Sequence, residues 1–304
     1  MELVRMDLSI IIVNYKTSEL TKGAVSSVHS VMKDSEYEYE IIVVDNASDD
    51  NSYAELCTIA DRNTKVYETP KNGGFGYGNN YGVKYAKGEY LFFLNSDTIL
   101  QRQVLLNMLS CIKKDSSIGA MTCWMKDGDN NWLVTGHSFE NVKTLFWQTI
   151  VKPLLPRKFY IQRNNHTVLK KDEIVDCDWI SGAGMLIPYN VFKTVNGWNE
   201  LFFMYMEDED LCYRIHQLGK RIVIFPSYGI QHLVGASGGS AFAAYERYKS
   251  KMLYFQLTQA KHQWLIQKLL FFQANRYMRG LSKKERNIVI DKLKLFAKSK
   301  NERS

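Results

Sequence analysis

The sequence has little of what would make a disulfide-stapled or membrane-spanning protein. Its 304 residues include five cysteines, an odd number with no Cys-x-x-Cys pair, which argues against a disulfide framework or a zinc ribbon. Apolar runs such as 8–13 and 90–94 have the length of a strand, well short of the ~20 residues that cross a bilayer. The first residues carry no apolar stretch after a basic start. We therefore expect reduced thiols, no secretory signal and a cytoplasmic location.

Net positive charge is also confined to one segment. Residues 261–304 hold twelve Lys and Arg against three acids, whereas the other 260 residues hold 27 basic and 29 acidic side chains. The net charge of +7 therefore belongs to the C-terminal segment. Anionic lipid is one natural partner for such a segment and nucleic acid is another. Because the sequence contains no recognised nucleic-acid module, we do not expect nucleic-acid binding.

The basic segment is predicted to be helical and amphipathic. Its apolar residues fall on two faces: Trp264, Leu265, Leu269 and Phe272, and then Val289, Leu293 and Phe296. One alternative is that these faces enter an anionic membrane surface, with the surrounding lysines on the headgroups. The other is that the helices pack on the rest of the chain or on a second copy in a homo-oligomer.

The first 120 or so residues alternate short β-rich runs with helical stretches. Strands are predicted at 8–13, 40–44, 64–68, 90–94 and 118–122, and helices at 17–31, 52–62 and 101–113, while a glycine-rich turn at 71–78 is predicted to open a further helical segment that runs to about 86. A Ser52–Glu55 capping box is expected to start the second of these helices. Repeated βα units predict an α/β fold with a mostly parallel sheet and helices on both faces. In such sheets ligands bind beyond the carboxyl ends of the strands.

The second half of the chain is less regular. Residues 125–172 form an irregular excursion with a basic cluster at Arg157, Lys158 and Arg163. Regular structure is expected to return at 174–187. A helix is predicted at 207–218, a strand at 221–225, and helices at 241–260, 264–278 and 284–298.

Three polar motifs follow predicted strands at the edge where a ligand would bind. Asp45 begins an Asn-Ala-Ser-Asp turn, which on its own is typical of a strand end and a helix cap. The stretch 72–80 is rich in glycine, which lets backbone approach a phosphate closely, or simply forms a flexible turn. It matches neither the dinucleotide fingerprint nor a P-loop. Asn95-Ser96-Asp97 has oxygen ligands that suit a hard cation, although such turns are common.

Two further motifs lie in the second half. Four acids at 207–210 follow an aromatic block; acids often start helices, yet a carboxylate beside aromatics is partly desolvated and gains the proton affinity of a general base. His232 lies in a Gly- and Ser-rich stretch, in a predicted loop after strand 221–225. A lone histidine is usually structural, but one in such a loop is also a candidate metal ligand.

Taken in order, these motifs resemble those of the family 2 inverting glycosyltransferases, which have the GT-A nucleotide-sugar fold, and in particular their rhamnosyltransferase-like branch. The resemblance covers residues 7–250. It implies that the nucleotide sugar contacts Asn14, Asp45, Asn46, Ser48, Asn72, Gly73, Gly74, Phe75, Asn79, Asn95 and Ser96. It places the donor or acceptor sugar against Trp179, Ser181, Gly182, Ala183 and Glu207.

The resemblance also implies a mechanism. Mg²⁺ or Mn²⁺ is held by Asp97 and His232, and Asp208 is the catalytic base that deprotonates an acceptor hydroxyl. The family has Asp-x-Asp where this chain has Asn95-Ser96-Asp97, so a neutral ligand replaces one acid and a lower metal affinity is expected.

The implied donor is a dTDP- or UDP-sugar such as dTDP-rhamnose, and the implied acceptor is a glycan or a lipid-linked oligosaccharide for cell-surface polysaccharide. The enzyme is expected to be peripheral on the inner face of the cell membrane. The implied domains are a catalytic domain at 1–260, with a donor half at 7–122 and an acceptor half at 173–250, and a helical extension at 261–304.

Two other classes compete with this interpretation. A nucleotidyltransferase also uses a doubly wound sheet and a divalent ion, but it would place Gly, Arg and Lys directly after the first strand, where this chain has Asn14-Tyr15-Lys16-Thr17. A non-catalytic nucleotide- or glycan-binding module on the same fold would explain Asn95. The retention of Asp97, Asp208 and His232 argues against it.

Overall fold

The computed structural model describes residues 6–101, 103–154, 173–233, 240–259 and 261–301. These residues form two compact units. The first, called here the sheet unit, comprises the described residues up to 138 together with 173–201 and 207–233. The second, the helical unit, comprises 139–154, 202–206, 240–259 and 261–301.

A mixed sheet of nine strands forms the centre of the sheet unit. The strands of this unit are β1 (Leu8–Asn14), β2 (Tyr39–Asp45), β3 (Thr64–Glu68), β4 (Tyr90–Asn95), β5 (Thr98–Leu100), β6 (Ile118–Lys126), β7 (Gly136–His137), β8 (Val175–Cys177), β9 (Trp179–Ile180), β10 (Gly184–Pro188) and β11 (Arg221–His232). The order across the large sheet is β3-β2-β1-β4-β10-β6-β11-β5, with β8 beside β11, and β7 pairs with β9 separately.

The parallel half of this sheet comes from the first 95 residues, where β3, β2, β1 and β4 run in the same direction. Strands β1, β2 and β4 are largely apolar, because both faces are covered there and the alternation of a half-exposed strand is not needed, whereas the edge strand β3 is mostly polar. Ile10, Ile12, Val43 and Phe92, for example, are fully buried. The predicted α/β fold with a mostly parallel sheet is confirmed. The register aligns Asn14 with Asp45 at the carboxyl edge.

The helices of the sheet unit are α1 (Ser18–Met32), α2 (Ser52–Cys57), α3 (Phe75–Val83), α4 (Val104–Lys114), α6 (Tyr189–Thr194) and α7 (Glu207–Gln217), with α5 (Val142–Phe146) in the helical unit. The prediction that α2 starts with a Ser52–Glu55 capping box and runs to residue 62 was wrong. The N-cap is Asn51, Glu55 accepts a hydrogen bond from Ser18, and the chain turns after Cys57.

The other helices of the helical unit are α8 (Ala241–Thr258), α9 (Gln263–Tyr277) and α10 (Lys283–Asn301), and a π-helical turn at Trp147–Val151 follows α5. Their core joins residues from all four helices and from 202–206. It buries Leu269, Val289 and Leu293, so of the two alternatives the sequence left open, packing on the rest of the chain holds for these residues. Trp264 and Phe272 are more than half exposed. No helix among the described residues is long and apolar enough to cross a membrane.

Two predictions of the sequence are left open here. The basic cluster Arg157, Lys158 and Arg163 lies outside the described residues. The division into a catalytic domain up to residue 260 and a helical extension after it stays a prediction.

Candidate active site

The carboxyl edge of β1 and β2 holds a closed network around Asp45. Asn14 Nδ2 and the Ser48 hydroxyl donate to Asp45 Oδ1 at 2.6 and 2.7 Å, and the Ser48 backbone N–H donates to Oδ2 at 2.9 Å. The side chain of Asn14 is in turn held through its Oδ1 by Thr17 and Thr21. Asp45 is 0% exposed. The network fixes the turn that follows β2.

The glycine-rich loop is anchored to the same turn. Asn46 Nδ2 donates to Asn72 Oδ1 and to the Gly74 carbonyl, and Asn72 Oδ1 accepts from the Gly74 backbone N–H. Gly74 has a φ of +92°, a backbone conformation that suits glycine. Helix α3 therefore starts at this edge of the sheet, and a helix N-terminus is a position that suits a phosphate.

Two of the loop's glycines serve packing. A Cβ at Gly78 would lie 2.7 Å from Val13 Cγ1, and a Cβ at Gly82 would lie 2.8 Å from Ile11 Cγ2. Real Cβ atoms do not approach that closely, so these residues let α3 lie directly on the strands. Asn79 is 1% exposed and donates to the Phe75 carbonyl within the helix.

Asn95, Asp97 and His232 form the second cluster at this edge. His232 Nε2 lies 3.1 Å from Asp97 Oδ1 and 3.5 Å from Asn95 Nδ2. The predicted loop position of His232 was wrong: β11 continues to His232, which pairs with Thr98 on β5. That pairing carries the imidazole to Asp97, although 135 residues separate the two. Ser96 joins this cluster to the first, because its hydroxyl lies 3.1 Å from that of Thr17.

These residues fit a divalent cation whose remaining ligands come from elsewhere. Asn95 Oδ1 is buried without a hydrogen-bond partner, and it lies on the side chain that approaches His232. An amide oxygen, a carboxylate and an imidazole are all suitable ligands for Mn²⁺, and the oxygens also suit Mg²⁺. Within the described residues, no group of three His, Cys, Asp or Glu side chains is arranged to hold a metal ion by itself. Oxygens of a diphosphate would complete such a site.

The segment 179–183 connects the cluster of Asn95, Asp97 and His232, called here the metal cluster, with Glu207 and Asp208, called here the acidic pair. The Ala183 carbonyl accepts from the backbone N–H of Asn95, and the Gly182 N–H points to Asp208 Oδ2 at 3.4 Å. A Cβ on Gly182 would lie 3.1 Å from Phe75 and 3.2 Å from Trp198, whose rings meet edge to face. Gly182 therefore brings the glycine-rich loop and the acidic pair to one place. Ser181, whose hydroxyl accepts from the Ala183 N–H, lies in the same segment.

Glu207 and Asp208 open helix α7, where Glu207 is buried and Asp208 is partly buried. Burial raises the pKa of Asp208 to about 6, while hydrogen bonds from the N–H groups of Glu209 and Gly182 act in the opposite direction. Burial, and then the charge of Asp208, raises the pKa of Glu207 to about 8. Oε2 of Glu207 is buried without a hydrogen-bond partner. The two carboxyls therefore titrate as a pair that holds its protons to a higher pH than ordinary acids do.

Trp179 lies on β9 and stacks against His137 of β7, with 4.2 Å between the ring centroids and 19° between the planes. Its indole N–H donates to the Ser138 carbonyl. Burial lowers the pKa of His137, so the stacked imidazole is neutral at physiological pH. One face of Trp179 is thus covered by a ring. A sugar that stacks on Trp179 would have to use the opposite face of its indole ring.

The sequence interpretation missed several residues of this site: Thr17, Thr21, His137 and Trp198. Trp198 follows Gly197, whose φ is +67°, in an Asn-Gly-Trp turn. The side chain of Asn80 in α3 brackets that turn, because Oδ1 accepts from the Trp198 N–H and Nδ2 donates to its carbonyl. The Asn-Gly pair was visible in the sequence as a turn. Its partner, more than a hundred residues earlier, was not.

Two named rhamnosyltransferases are similar in sequence to this chain. Rhamnosyltransferase WbbL of Escherichia coli is 26% identical over 201 residues, which are 62% of this chain and 71% of that protein. The N-acetylglucosaminyl-diphospho-decaprenol L-rhamnosyltransferase of Mycobacterium tuberculosis is 26% identical over 146 residues, 48% of this chain and 47% of that protein.

Solved structures share the fold. A mannosyltransferase from Pyrobaculum calidifontis, determined with GDP-Man and Mn²⁺, superposes with a TM-score of 0.58 at 15% identity, over 98% of this chain and 87% of that one. The family model described as glycosyl transferase family 2 matches residues 9–176, more than half of the sequence. The chain belongs to glycosyl transferase family 2 and has the GT-A fold.

Proposed function

We propose that this glycosyltransferase moves a sugar, with rhamnose the first candidate, from a dTDP- or UDP-linked donor to an acceptor hydroxyl with inversion at the anomeric carbon. The observation that carries the proposal is the position of Asp208. Its carboxylate lies beside Gly182, which contacts Phe75 of the glycine-rich loop. A partly desolvated base thus adjoins the segment that would hold the donor.

In this proposal the donor's nucleotide lies along the edge formed by the Asp45 turn, and its diphosphate meets the first N–H groups of α3. Asp45 is buried, and both of its oxygens are engaged within the chain. Asp45 would therefore affect the nucleobase of the donor chiefly by holding Asn14 and Ser48 in place. Asn46, Asn72, Gly73, Gly74, Phe75, Asn79 and Ser96 would shape the rest of the donor site.

Asp97 and His232, with the amide oxygen of Asn95, would hold Mg²⁺ or Mn²⁺. Such an ion supplies positive charge against the leaving diphosphate. The chain's own contribution is to keep these three side chains together. It does so through the pairing of β11 with β5 and through the hydrogen bond between Asn95 N–H and the Ala183 carbonyl.

Asp208 would accept the proton of the acceptor hydroxyl as that oxygen bonds to the anomeric carbon and the bond from this carbon to the diphosphate oxygen breaks. No enzyme nucleophile takes part. A pKa near 6 leaves Asp208 mostly ionised at neutral pH, yet more basic than an ordinary aspartate. Glu207 would keep its proton and could donate a hydrogen bond to a sugar hydroxyl. Trp179, Ser181 and Ala183 would line the sugar site.

The acceptor is proposed to be a glycan or a lipid-linked oligosaccharide. One relative is named for a diphospho-decaprenol acceptor and for the transfer of L-rhamnose, and the basic segment 261–304 suits work at an anionic membrane surface. A peripheral location on the inner face of the cell membrane is part of the proposal. A homo-oligomer stays a prediction.

The test is a donor screen with purified protein. Release of nucleoside diphosphate from a panel of UDP-, dTDP- and GDP-sugars is followed with Mn²⁺ or Mg²⁺, with and without EDTA. We expect EDTA-sensitive release from one dTDP- or UDP-sugar. Where release needs the acceptor, UDP or dTDP should still raise the melting temperature in the presence of metal. Neither release nor a shift with any nucleotide would refute the proposed donor class.

A further inference from the structure

A cavity of about 440 Å³ opens in the helical unit, among residues that belong to no part of the active site described above. It lies between the chain that follows α5 and helices α8 and α9. Its lining residues are Gln148, Thr149, Lys152, Pro153, Tyr248, Phe272, Gln273, Arg276 and Tyr277. A hydrogen bond from Gln273 Nε2 to the Thr149 hydroxyl, 2.8 Å long, ties its two sides together.

The lining favours an anion. It contains two cationic side chains, Lys152 and Arg276, and no carboxylate among the described residues that form it. A third cation lies behind it, because the guanidinium of Arg247 rests 5.3 Å from the ring of the lining residue Tyr277. The Nε atom of Arg247 is buried without a hydrogen-bond partner. Amide groups of Gln148 and Gln273 add hydrogen-bond donors, so the cavity matches a phosphate group.

The surroundings of the cavity are apolar and exposed. Phe272, on the cavity wall, is 55% exposed, and Trp264, two turns earlier on the same face of α9, is 68% exposed. On the other side, the segment that contributes Lys152 also exposes Trp147, Ile150 and Leu154. Large apolar side chains held in water beside a cationic cavity suit a ligand with a phosphate and a hydrocarbon part.

Lys268 adds a feature typical of a membrane interface. Its ammonium lies 3.8 Å from the centroid of the Trp264 ring, so one cation and one aromatic share the exposed face of α9. Such pairs suit the boundary between headgroups and acyl chains. Helix α10 buries Val289 and Leu293 in the core, and its exposed side carries lysines together with the apolar residues Ile288 and Leu295.

We infer that this cavity binds the phosphate of an anionic membrane lipid, with Lys152 and Arg276 on the phosphate and with Trp264, Phe272 and Leu154 in the surface layer of the bilayer. The membrane contact is thereby assigned to α9 and residues 147–154, which form the cavity and its exposed apolar surroundings. The inference rests on the proposed membrane location and is independent of the transfer chemistry.

The experiment is co-sedimentation of the full chain with vesicles of phosphatidylcholine, with and without phosphatidylglycerol. The double variant Lys152→Gln/Arg276→Gln removes the cavity's two cations. A matched control, Lys284→Gln/Lys298→Gln, removes two exposed charges from α10. Melting temperatures establish that both variants are folded. We expect the cavity variant to lose about tenfold or more in affinity for anionic vesicles and the control to lose less than about threefold.

Other outcomes overturn the inference. Equal losses in both variants would mean that charge alone attracts the chain, and no binding of the parent to anionic vesicles would remove the lipid ligand. If millimolar inorganic phosphate raises the melting temperature of the parent but not of the cavity variant, while both bind anionic vesicles equally, the cavity belongs to a soluble phosphate. Tighter binding to labelled duplex DNA than to vesicles would assign the surface to nucleic acid.

Trp264→Gln separates the apolar part from the cationic part. It should weaken binding to anionic vesicles at high salt, where charge attraction is screened, and unchanged binding there would remove the tryptophan from the contact. Donor turnover or nucleotide-dependent melting shifts, measured in solution on all variants, should equal those of the parent. If the parent shows neither donor turnover nor a nucleotide-dependent melting shift but still binds vesicles, the proposed function is refuted and the lipid site stands.

Discussion

Asp45 and Glu207 are both buried carboxylates, yet they sit in opposite chemical situations. Asp45 accepts hydrogen bonds from Asn14 and from both the hydroxyl and the N–H of Ser48. Glu207 leaves one carboxylate oxygen without a partner, and the pKa values of both acids of the pair are raised. The difference teaches that burial alone does not make a carboxylate reactive. The number of donors around it decides whether it stabilises structure or is ready to take a proton.

The largest expected effect is on the turnover rate, and it tests whether Asp208 is the residue that takes the proton. Asp208→Asn removes the proton acceptor and should lower kcat by about 10²–10⁴-fold while donor affinity changes little. Initial rates and donor-induced melting shifts measure the two quantities.

The control for turnover is Asp210→Asn on the same helix. Asp210 forms an ion pair with Arg214, with the carboxylate 2.7 Å from Nη2. This variant should lose stability and keep most of its kcat. Near-parental turnover in Asp208→Asn would show that the base has been misassigned.

The second effect is on the stability of the fold, and it concerns Asp45, whose carboxylate accepts three hydrogen bonds. Asp45→Ala leaves the donors of Asn14 and Ser48 unpaired in a buried site, which should lower the free energy of unfolding by about 1–3 kcal/mol or more and weaken nucleotide binding as the turn loosens. Urea denaturation measures it. Asp49→Ala, at an exposed position of the same turn, should stay within about 0.5 kcal/mol of the parent. Equal stabilities of the two variants would contradict a structural role for Asp45.

The third effect is on pH dependence. Because Asp208 must be ionised to act, kcat/KM should rise with pH through about 6. Folded-state pKa values above those of the unfolded chain mean that the folded protein binds more protons, so the stability contributed by the pair is present at acid pH and is lost as pH rises towards about 8.

Glu207→Gln sharpens this point, since glutamine needs no proton to remain neutral. The variant should gain stability over the parent at about pH 9, and the gain should shrink at about pH 5. Melting curves across pH test the prediction. A constant difference between parent and variant at all pH values would mean that Glu207 does not titrate in this range.

The smallest effect concerns the neutral ligand at the metal cluster. Asn95→Asp adds a charge beside Asp97 and His232, and should lower the Mn²⁺ concentration for half-maximal donor turnover by about threefold to tenfold. Asn131→Asp, in an exposed turn, is the matched control. An unchanged metal requirement in Asn95→Asp would remove Asn95 from the metal site.

Much of the sheet unit could be predicted because its sequence determines its structure locally. Short apolar runs form β1, β2 and β4, and polar turns follow them at one edge. The position of His232 could not be predicted, since it depends on how far β11 continues past residue 225 and on its pairing with β5. Hydrophobicity gives little guidance there, because the strand is irregular between Phe225 and Ile230.

The helical unit was harder to predict for a different reason. An amphipathic pattern shows that a helix has an apolar face but not what covers it. Val289 and Trp264 both fit such a pattern, and the structure buries the first and exposes the second. Only the tertiary packing of α8, α9 and α10 separates the two cases.

The close seating of α3 on the strands affects how mutational scans of this chain would be interpreted. Bulkier residues at Gly78 or Gly82 would push the helix off β1, and activity would fall as it does when Asp208 is changed, although neither glycine needs to touch a substrate. A scan scored by activity alone would rank all three positions together. A parallel scan scored by protein abundance would separate them, because only the glycine variants should also become scarce in the cell.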